Sequence, residues 1–390
     1  MKLTGVNTFS PRPKMKELTV CLRRGHHIFY DDLYKYPPKS VKYILPKFVT
    51  SRYNNLVDNS IHKEAIKRDA FRIFNRLMRT PHALQIPTDP CDLIYSCGGI
   101  IPKNKSPWVI DLEHVTAFIG MEHNNIGPVK GKIEKYLSSE HCRKIMPYTQ
   151  AAKQSILNCL DAEPFKDKIE VVHPAIASTK TSRIKSDKIR LLFIGGKFYG
   201  KGGAETLEAF EKLSQKYDIT LTLMSDTPEE FITKYPMVDF RNPNIPHSQM
   251  SELYRNADIF VLPSYQDPVG MVFLEAMNFR LPIVTTDIYA MSEVTNNGKC
   301  GFNVHSEFSV FDSRFQYQWK NCNRFWKAAE KFRQPAVASG LVKALSRLIE
   351  SSSLRKRMGN EGKKQVENGK FSIKTRNAKL RRIFEEAVGK

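Results

Sequence analysis

Asp267 and Glu275 stand eight residues apart in the stretch LPSYQDPVGMVFLEAMNFRLPIVTTD, residues 262–287. Gly270 lies between them and opens an apolar run, MVFLEAMNF, with helical spacing. The first turn of a helix presents backbone N–H groups without intrahelical partners and the positive end of the macrodipole, so it takes anions. A carboxylate on either side accepts hydrogen bonds from hydroxyls. Together these groups suit a nucleoside diphosphate that carries a sugar, with the anion on the helix start and the sugar hydroxyls on the acids.

A second phosphate cradle opens the same half of the chain. IRLLFIGGKFYGKGGAETLEAF, residues 189–210, is strand, glycine-rich turn and helix in succession. Gly195, Gly200 and Lys201 satisfy most of G-x-x-x-x-G-K-[ST], but the last position is Gly202, which has no hydroxyl for Mg²⁺. That mismatch argues against a P-loop nucleotidase. Lys201 is then either a surface lysine or, placed opposite Gly270, a partner of the diphosphate.

In the first half, the strand-like SPWVIDLEHVTAF carries Asp111, Glu113 and His114 at its end. The turn SCGGII puts Gly98 and Gly99 either against a ligand or in a plain turn. The seven cysteines are scattered and none lies in a CxxC pair. A zinc site or disulfide framework is therefore not expected, and a reducing cytoplasm fits best.

Positioning these groups takes an alternation of strands and helices. ELTVCL, DLIYS, WVIDL, KIMPY and IEVVHP have strand character, and residues 63–78 and 151–160 helical character. The polar segment 177–188, ASTKTSRIKSDK, is predicted to be a linker. Beyond it the strands RLLFIGG, ITLTLMSD, DIFVLPS and LPIVTT alternate with the helices AETLEAFEKLSQKY, SQMSELYRNA and GMVFLEAMNF. Nearly continuous apolar strands between helices predict parallel sheets covered on both faces, with a ligand cleft between two Rossmann-like domains. SGLVKALSRLIES, LRKRMGNEGKKQVEN and residues 371–388 are predicted helices. The aromatic and basic stretch 308–335 is an insertion, serving either as a satellite core or as a contact for an acceptor or a membrane surface.

At 390 residues the chain has room for two domains. It carries 61 Lys+Arg against 40 Asp+Glu, a net charge of +21. That excess has three readings: a solvated lysine-rich surface, a basic face for an anionic membrane or acceptor, or nucleic acid binding. No segment resembles a nucleic-acid reading module, so nucleic acid is not the expected partner. MKLTGVNTFSPRPK lacks the apolar core of a signal peptide, and no apolar run approaches the ~20 residues of a membrane span. The expectation is a cytoplasmic protein with at most peripheral membrane contact.

IGGKFYGKGGAETLEAF, SQMSELYRNADIFVLPS and YQDPVGMVFLEAMNFRLPIVTTD, in this order and spacing, resemble the C-terminal domain of glycosyltransferase family 4. The tail RKRMGNEGKKQVENGKFSIKT is also similar to that family's closing helices. The resemblance spans roughly residues 189–388 and is interrupted by the aromatic insertion. It implies an α/β protein of GT-B fold, two Rossmann-like domains facing each other across a cleft. The expected division is 1–180 for the acceptor-side domain, 181–370 for the nucleotide-sugar domain, and 371–390 for a helix returning to the first domain.

The family's acid-x7-acid motif falls on Asp267 and Glu275, with Asp267 where the family usually has Glu. The first acid would contact the donor sugar and Glu275 the ribose. The amides of Gly270, Met271 and Val272 would hold the phosphate, and Lys201 would stabilise it as it leaves. The family places an Arg five residues before the Lys. Gly196 stands there, with Lys197 beside it as the substitute or with one cation missing. Gly195 and Asn244 complete the donor-side candidates. His114 lies where family members often place a His that faces the donor sugar from the other side of the cleft; its other reading is a satisfied loop or core histidine.

The resemblance implies a retaining transfer of a sugar from a nucleoside diphosphate to an acceptor hydroxyl of a glycan or lipid-linked substrate. No cofactor or metal is expected; the nucleotide-sugar is the substrate. The alternative is a degenerate, non-catalytic nucleotide-sugar or sugar binding protein, suggested by Gly196 and Asp267.

Overall fold

Apolar runs of four to six residues become the strands of two parallel sheets. The computed structural model describes residues 17–23, 29–46, 79–120, 126–180, 184, 186–243, 245 and 247–389. The helix predicted over 63–78 and the segment MKLTGVNTFSPRPK lie outside these residues, as does Asn244.

The first half runs β1 (Leu18–Arg23), α1 (Phe29–Lys35), β2 (Val41–Ile44), β3 (Ala83–Leu84), β4 (Leu93–Ser96), β5 (Ile101–Pro102), β6 (Trp108–Leu112), α2 (Lys130–Ser138), β7 (Cys142–Pro147) and α3 (Gln150–Cys159). Its large sheet has the order β2-β1-β4-β6-β7, while β3 and β5 form a separate pair. The order reverses between β1 and β4, the switch point of a doubly wound sheet.

The second half runs β8 (Ile189–Ile194), α4 (Gly203–Ser214), β9 (Ile219–Met224), α5 (Glu229–Lys234), β10 (Asp239–Arg241), α6 (His247–Arg255), β11 (Ile259–Leu262), α7 (Met271–Asn278), β12 (Ile283–Thr286), α8 (Met291–Val294), β13 (Gly301–Val304), α9 (Cys322–Lys331), α10 (Pro335–Glu350), α11 (Ser352–Glu367) and α12 (Ile373–Ala387). Its six strands lie in the order β10-β9-β8-β11-β12-β13, so the switch point falls between β8 and β11. Central strands such as β11 and β12 are buried along their whole length, because helices cover both faces.

The chain returns to the first domain at its end. Phe384 on α12 packs edge-on against Tyr43 and Tyr95, and Arg376 and Asn377 donate to the Tyr36 carbonyl at 3.0 Å each. This explains why the last helix carries apolar residues at helical spacing: its face is needed by the other domain's sheet.

Two expectations change. IEVVHP, residues 169–174, is no regular strand. It runs beside β7 with one bridge, Ile145 to Ile169, and bonds from Glu170 N to Ile145 O and Val172 N to Pro147 O. Its Pro174 cannot donate to a ladder. The segment 177–188 is also more than a linker at its start. Thr179 N donates to Asn278 Oδ1, Asn278 Nδ2 donates to the Ala177 carbonyl, and the Lys363 ammonium donates to Ser178 Oγ and the Thr179 carbonyl. The domain crossing is therefore tied to α7 and α11.

Candidate functional site

The carboxyl ends of β8 and β11 release two loops that zip together. Tyr265 N donates to the Gly200 carbonyl at 3.0 Å. A Cβ at Gly200 would sit 2.0 Å from the Trp326 ring, so only glycine lets the loop pass beneath α9. After β11 the chain turns through residues 263–269 and enters α7 at Gly270, with φ 68° and ψ 91°. A Cβ there would lie 2.6 Å from the Phe273 ring, which makes glycine a requirement of close packing as well as of dihedral angle. No side chain caps α7, so its first amides stay available to a ligand.

The two loops border a cavity of about 430 Å³ at the switch point, where open α/β sheets bind ligands. Gly195, Gly196, Lys197, Lys201, Asp267, Gly270, Met271 and Val272 all line it. Glu113 and Tyr148 reach it from the first domain, and Gln266, Tyr317 and Trp326 were not foreseen in the sequence. The last two come from the aromatic insertion, whose other rings form a small core: Phe308 stacks on Phe325 and Phe332 and meets Trp319 edge-on. The insertion is thus a satellite core that also supplies two walls of the cavity.

Within the cavity, Lys201 Nζ lies 2.6 Å from Asp267 Oδ1. The other Asp267 oxygen, Oδ2, is buried without a partner among the described residues, and so is Gln266 Oε1. Lys197 does not join Lys201. Its ammonium lies 3.8 Å from Asp226 Oδ2, and its backbone holds φ 68°. Glu275 sits half-buried on α7 and accepts from the Tyr254 hydroxyl at 2.8 Å. It is not among the residues bordering the cavity. Burial, followed by the Glu275 charge, pushes the Tyr254 phenol well above its ordinary value and so keeps it a donor.

His114 takes the second of its two readings, a satisfied core histidine. It is 0% exposed and does not border the cavity. Its Nδ1 accepts from Thr116 N at 3.1 Å, capping the short turn Val115–Ile119, and its Nε2 lies 2.7 Å from the Phe315 carbonyl of the insertion. Phe311 and Tyr317 flank the ring. Burial lowers its pKa to about 4, so the ring is neutral and donates from Nε2 to Phe315. The aromatic hairpin of the insertion, not the cavity, faces the His114 ring.

Asp111 sits in a hydrogen-bonded cluster of its own. It accepts from the hydroxyls of Tyr95 at 2.7 Å and of Tyr30 and Tyr148 at 3.0 Å, and from Gly98 N at 2.7 Å. Burial raises its pKa, and these donors oppose the rise. Gly98 therefore serves the turn around Asp111, while a Cβ on Gly99 would meet the Ala117 side chain at 2.4 Å. Both glycines belong to a packed turn.

Among the described residues no helix is long and apolar enough to cross a membrane. Residues 176–313 match the family described as glycosyl transferases group 1. The capsular polysaccharide biosynthesis glycosyltransferase CapM of Staphylococcus aureus is 26% identical over 204 residues, 50% of this chain and 45% of that protein. The chain spans about half the length of the curated relatives it matches. A glycosyltransferase from Rickettsia africae superposes with a TM-score of 0.60 at 14% identity, covering 95% of this chain and 98% of the other. Anabaena HepE, solved with UDP and glucose, superposes with a TM-score of 0.57 at 13% identity, covering 94% and 98%. Across both domains the fold is that of GT-B glycosyltransferases.

Proposed function

With residues 176–313 a glycosyl transferases group 1 domain in a GT-B fold, we propose that this chain moves a sugar from a nucleoside diphosphate to an acceptor hydroxyl with retention of configuration. The observation that carries this reading is the convergence of Lys201, Asp267 and the open start of α7 on one cavity at the switch point between β8 and β11. The complex of Anabaena HepE with UDP and glucose supports a nucleoside diphosphate and a hexose as the kind of ligand such a cleft holds.

In this account the diphosphate rests on the amides of Gly270, Met271 and Val272. Lys201 swings from Asp267 to the β-phosphate and offsets the charge that develops as the glycosidic bond breaks. Asp267 Oδ2 accepts from a sugar hydroxyl. Glu275 lies five residues into α7 from Gly270, about 7.5 Å along the axis, roughly the span from diphosphate to ribose. The acceptor hydroxyl attacks from the face the phosphate leaves and passes its proton to the departing phosphate oxygen, so no protein nucleophile is needed. Charge neutralisation is assigned to Lys201 and the helix start, and no metal is assigned a role.

The acceptor is a glycan or lipid-linked hydroxyl compound, and the excess of basic residues suits peripheral residence at an anionic membrane surface on the cytoplasmic side. One observation favours the second reading, a binding protein without turnover. Gly196 offers no cation and Lys197 turns to Asp226, so the diphosphate meets one lysine rather than two cations. Donor hydrolysis and transfer assayed for wild type, Lys201→Ala and Glu275→Ala separate the two. Turnover removed by both variants supports the enzyme; equal residual activity in all three supports the binder.

A further inference from the structure

Asp267 and Gln266 border the cavity, and each has a buried side-chain oxygen with no donor among the described residues, Oδ2 and Oε1. A buried oxygen without a donor costs about 1–3 kcal/mol, so such atoms in one cavity call for a ligand that brings O–H or N–H groups. Adjacent residues on one loop present both, and a diphosphate, which only accepts, satisfies neither. A sugar satisfies both.

Gln266 is held in place. Its backbone N–H donates to Ser264 Oγ at 3.3 Å, and its side chain is hydrogen-bonded to the Tyr317 hydroxyl. Tyr317 is in turn fixed by the hairpin 311–317. Phe311 and Tyr317 form its antiparallel bridge, and Asp312 Oδ1 accepts from Arg314 N at 2.9 Å and Gln316 N at 2.8 Å. Phe315, at the tip, holds φ 59°, a conformation that costs a bulky residue free energy and persists where the surroundings demand it. That conformation accompanies the tip's anchorage on the first domain. The Phe315 carbonyl meets His114, Gln316 Nε2 donates to the Ser155 carbonyl at 2.9 Å, and Asn158 Nδ2 donates to the Arg314 carbonyl at 3.0 Å. The hairpin therefore spans the cleft and sets Tyr317 against Gln266 when the domains are together.

We propose that Gln266 and Tyr317 read the donor sugar: the Gln266 carbonyl accepts from a sugar hydroxyl beside the one held by Asp267, and the hairpin delivers Tyr317 to complete that wall. This rests on the donor-site reading above and adds to it the residues that discriminate among sugars. Trp326 lines the same cavity, and an indole ring suits the apolar C–H face of a pyranose.

Titration calorimetry on the full chain tests it in two steps. UDP, GDP and ADP first identify the nucleoside diphosphate that binds. That nucleotide is then compared with its glucose, galactose, mannose and N-acetylglucosamine conjugates, in wild type, Gln266→Met and Tyr317→Phe. Gln266→Met keeps the side-chain volume and removes the acceptor. It is expected to bind the bare diphosphate as wild type does and the preferred sugar conjugate about tenfold more weakly, with Tyr317→Phe losing several-fold on the same conjugate only. Conjugate affinity unchanged in both variants, or lost in equal proportion with the bare diphosphate, overturns the proposal and leaves the donor site standing. Wild type that binds no nucleoside diphosphate overturns the donor site itself, and the proposal with it. Should Gln266→Met fail to fold by thermal melt, Tyr317→Phe carries the comparison under the same criteria.

Discussion

The Lys201 ammonium and the Asp267 carboxylate form a 2.6 Å ion pair whose side chains are only 16% and 14% exposed. Two residues 66 positions apart meet because the loops after β8 and β11 are adjacent at the switch point. An ion pair this withdrawn from water is costly to break by halves, since the remaining charge is left without its partner. Lys201→Met should therefore lower stability by about 3 kcal/mol in urea unfolding. It should also cut turnover by about 10²–10³ through loss of the positive charge that offsets the leaving phosphate. Lys201→Met with Asp267→Asn should regain most of the stability and none of the activity. Recovery of activity in the double variant would contradict the role given to Lys201.

Gly270→Ala should cost about 1–3 kcal/mol, because the position has φ 68° and a Cβ would press on the Phe273 ring at 2.6 Å. It should also weaken nucleoside diphosphate binding, since α7 would start elsewhere. A melting temperature and a diphosphate affinity both equal to wild type would show that neither strain nor the helix start matters.

Acid should destabilise the fold through His114. The unfolded ring takes its proton near 6.5, whereas burial holds the folded ring neutral down to about 4. Between these values the unfolded chain binds more protons, so stability falls as pH drops from 6.5 to 4, by about 3 kcal/mol at the end of that window. His173 contributes in the same direction, also through burial. His114→Asn retains an N-cap for the turn Val115–Ile119 and should flatten the stability profile over this range. An unchanged slope from pH 6.5 to 4 would show that His114 is not held neutral.

The domains also meet at Glu293, whose carboxylate accepts from Gln150 N and Ala151 N at 2.8 Å each, at the start of α3. Glu293→Ala should cost about 1 kcal/mol and speed hydrogen exchange at those two amides. Exchange rates equal to wild type would show that the contact does not persist in solution.

Turnover should survive EDTA, because Lys201 and the start of α7 are assigned the charge that a metal supplies in other transferases. Loss of activity restored by a divalent cation would overturn that assignment.

What was legible in the sequence follows from how local each signal is. β8, β11 and β12 were visible as apolar runs because their faces are largely covered, and β9 because its apolar residues alternate with Thr220 and Thr222. The start of α7 was visible because Gly270 separates a loop from a helical period. β2 and β10 were missed: VKYI is four residues behind two prolines, and DFR is a three-residue edge strand with its ends exposed. The surroundings of His114 and Asp111 were illegible for another reason. Phe315 lies 201 residues from His114, and the tyrosines on Asp111 come from three separate segments of the chain. Only the packed fold brings them together, so spacing near the histidine carried no trace of the hairpin. Gln266 had a signal that went unused: it directly precedes Asp267 on the loop leading to Gly270.

The central claim is that a diphosphate binds between Lys201 and the amides at Gly270. Titration calorimetry of wild type and Lys201→Ala with UDP, GDP and ADP tests it most directly. One of the three should bind wild type and lose at least tenfold in affinity for the variant. Equal affinity for both proteins, or binding of none of the three to wild type, would contradict it.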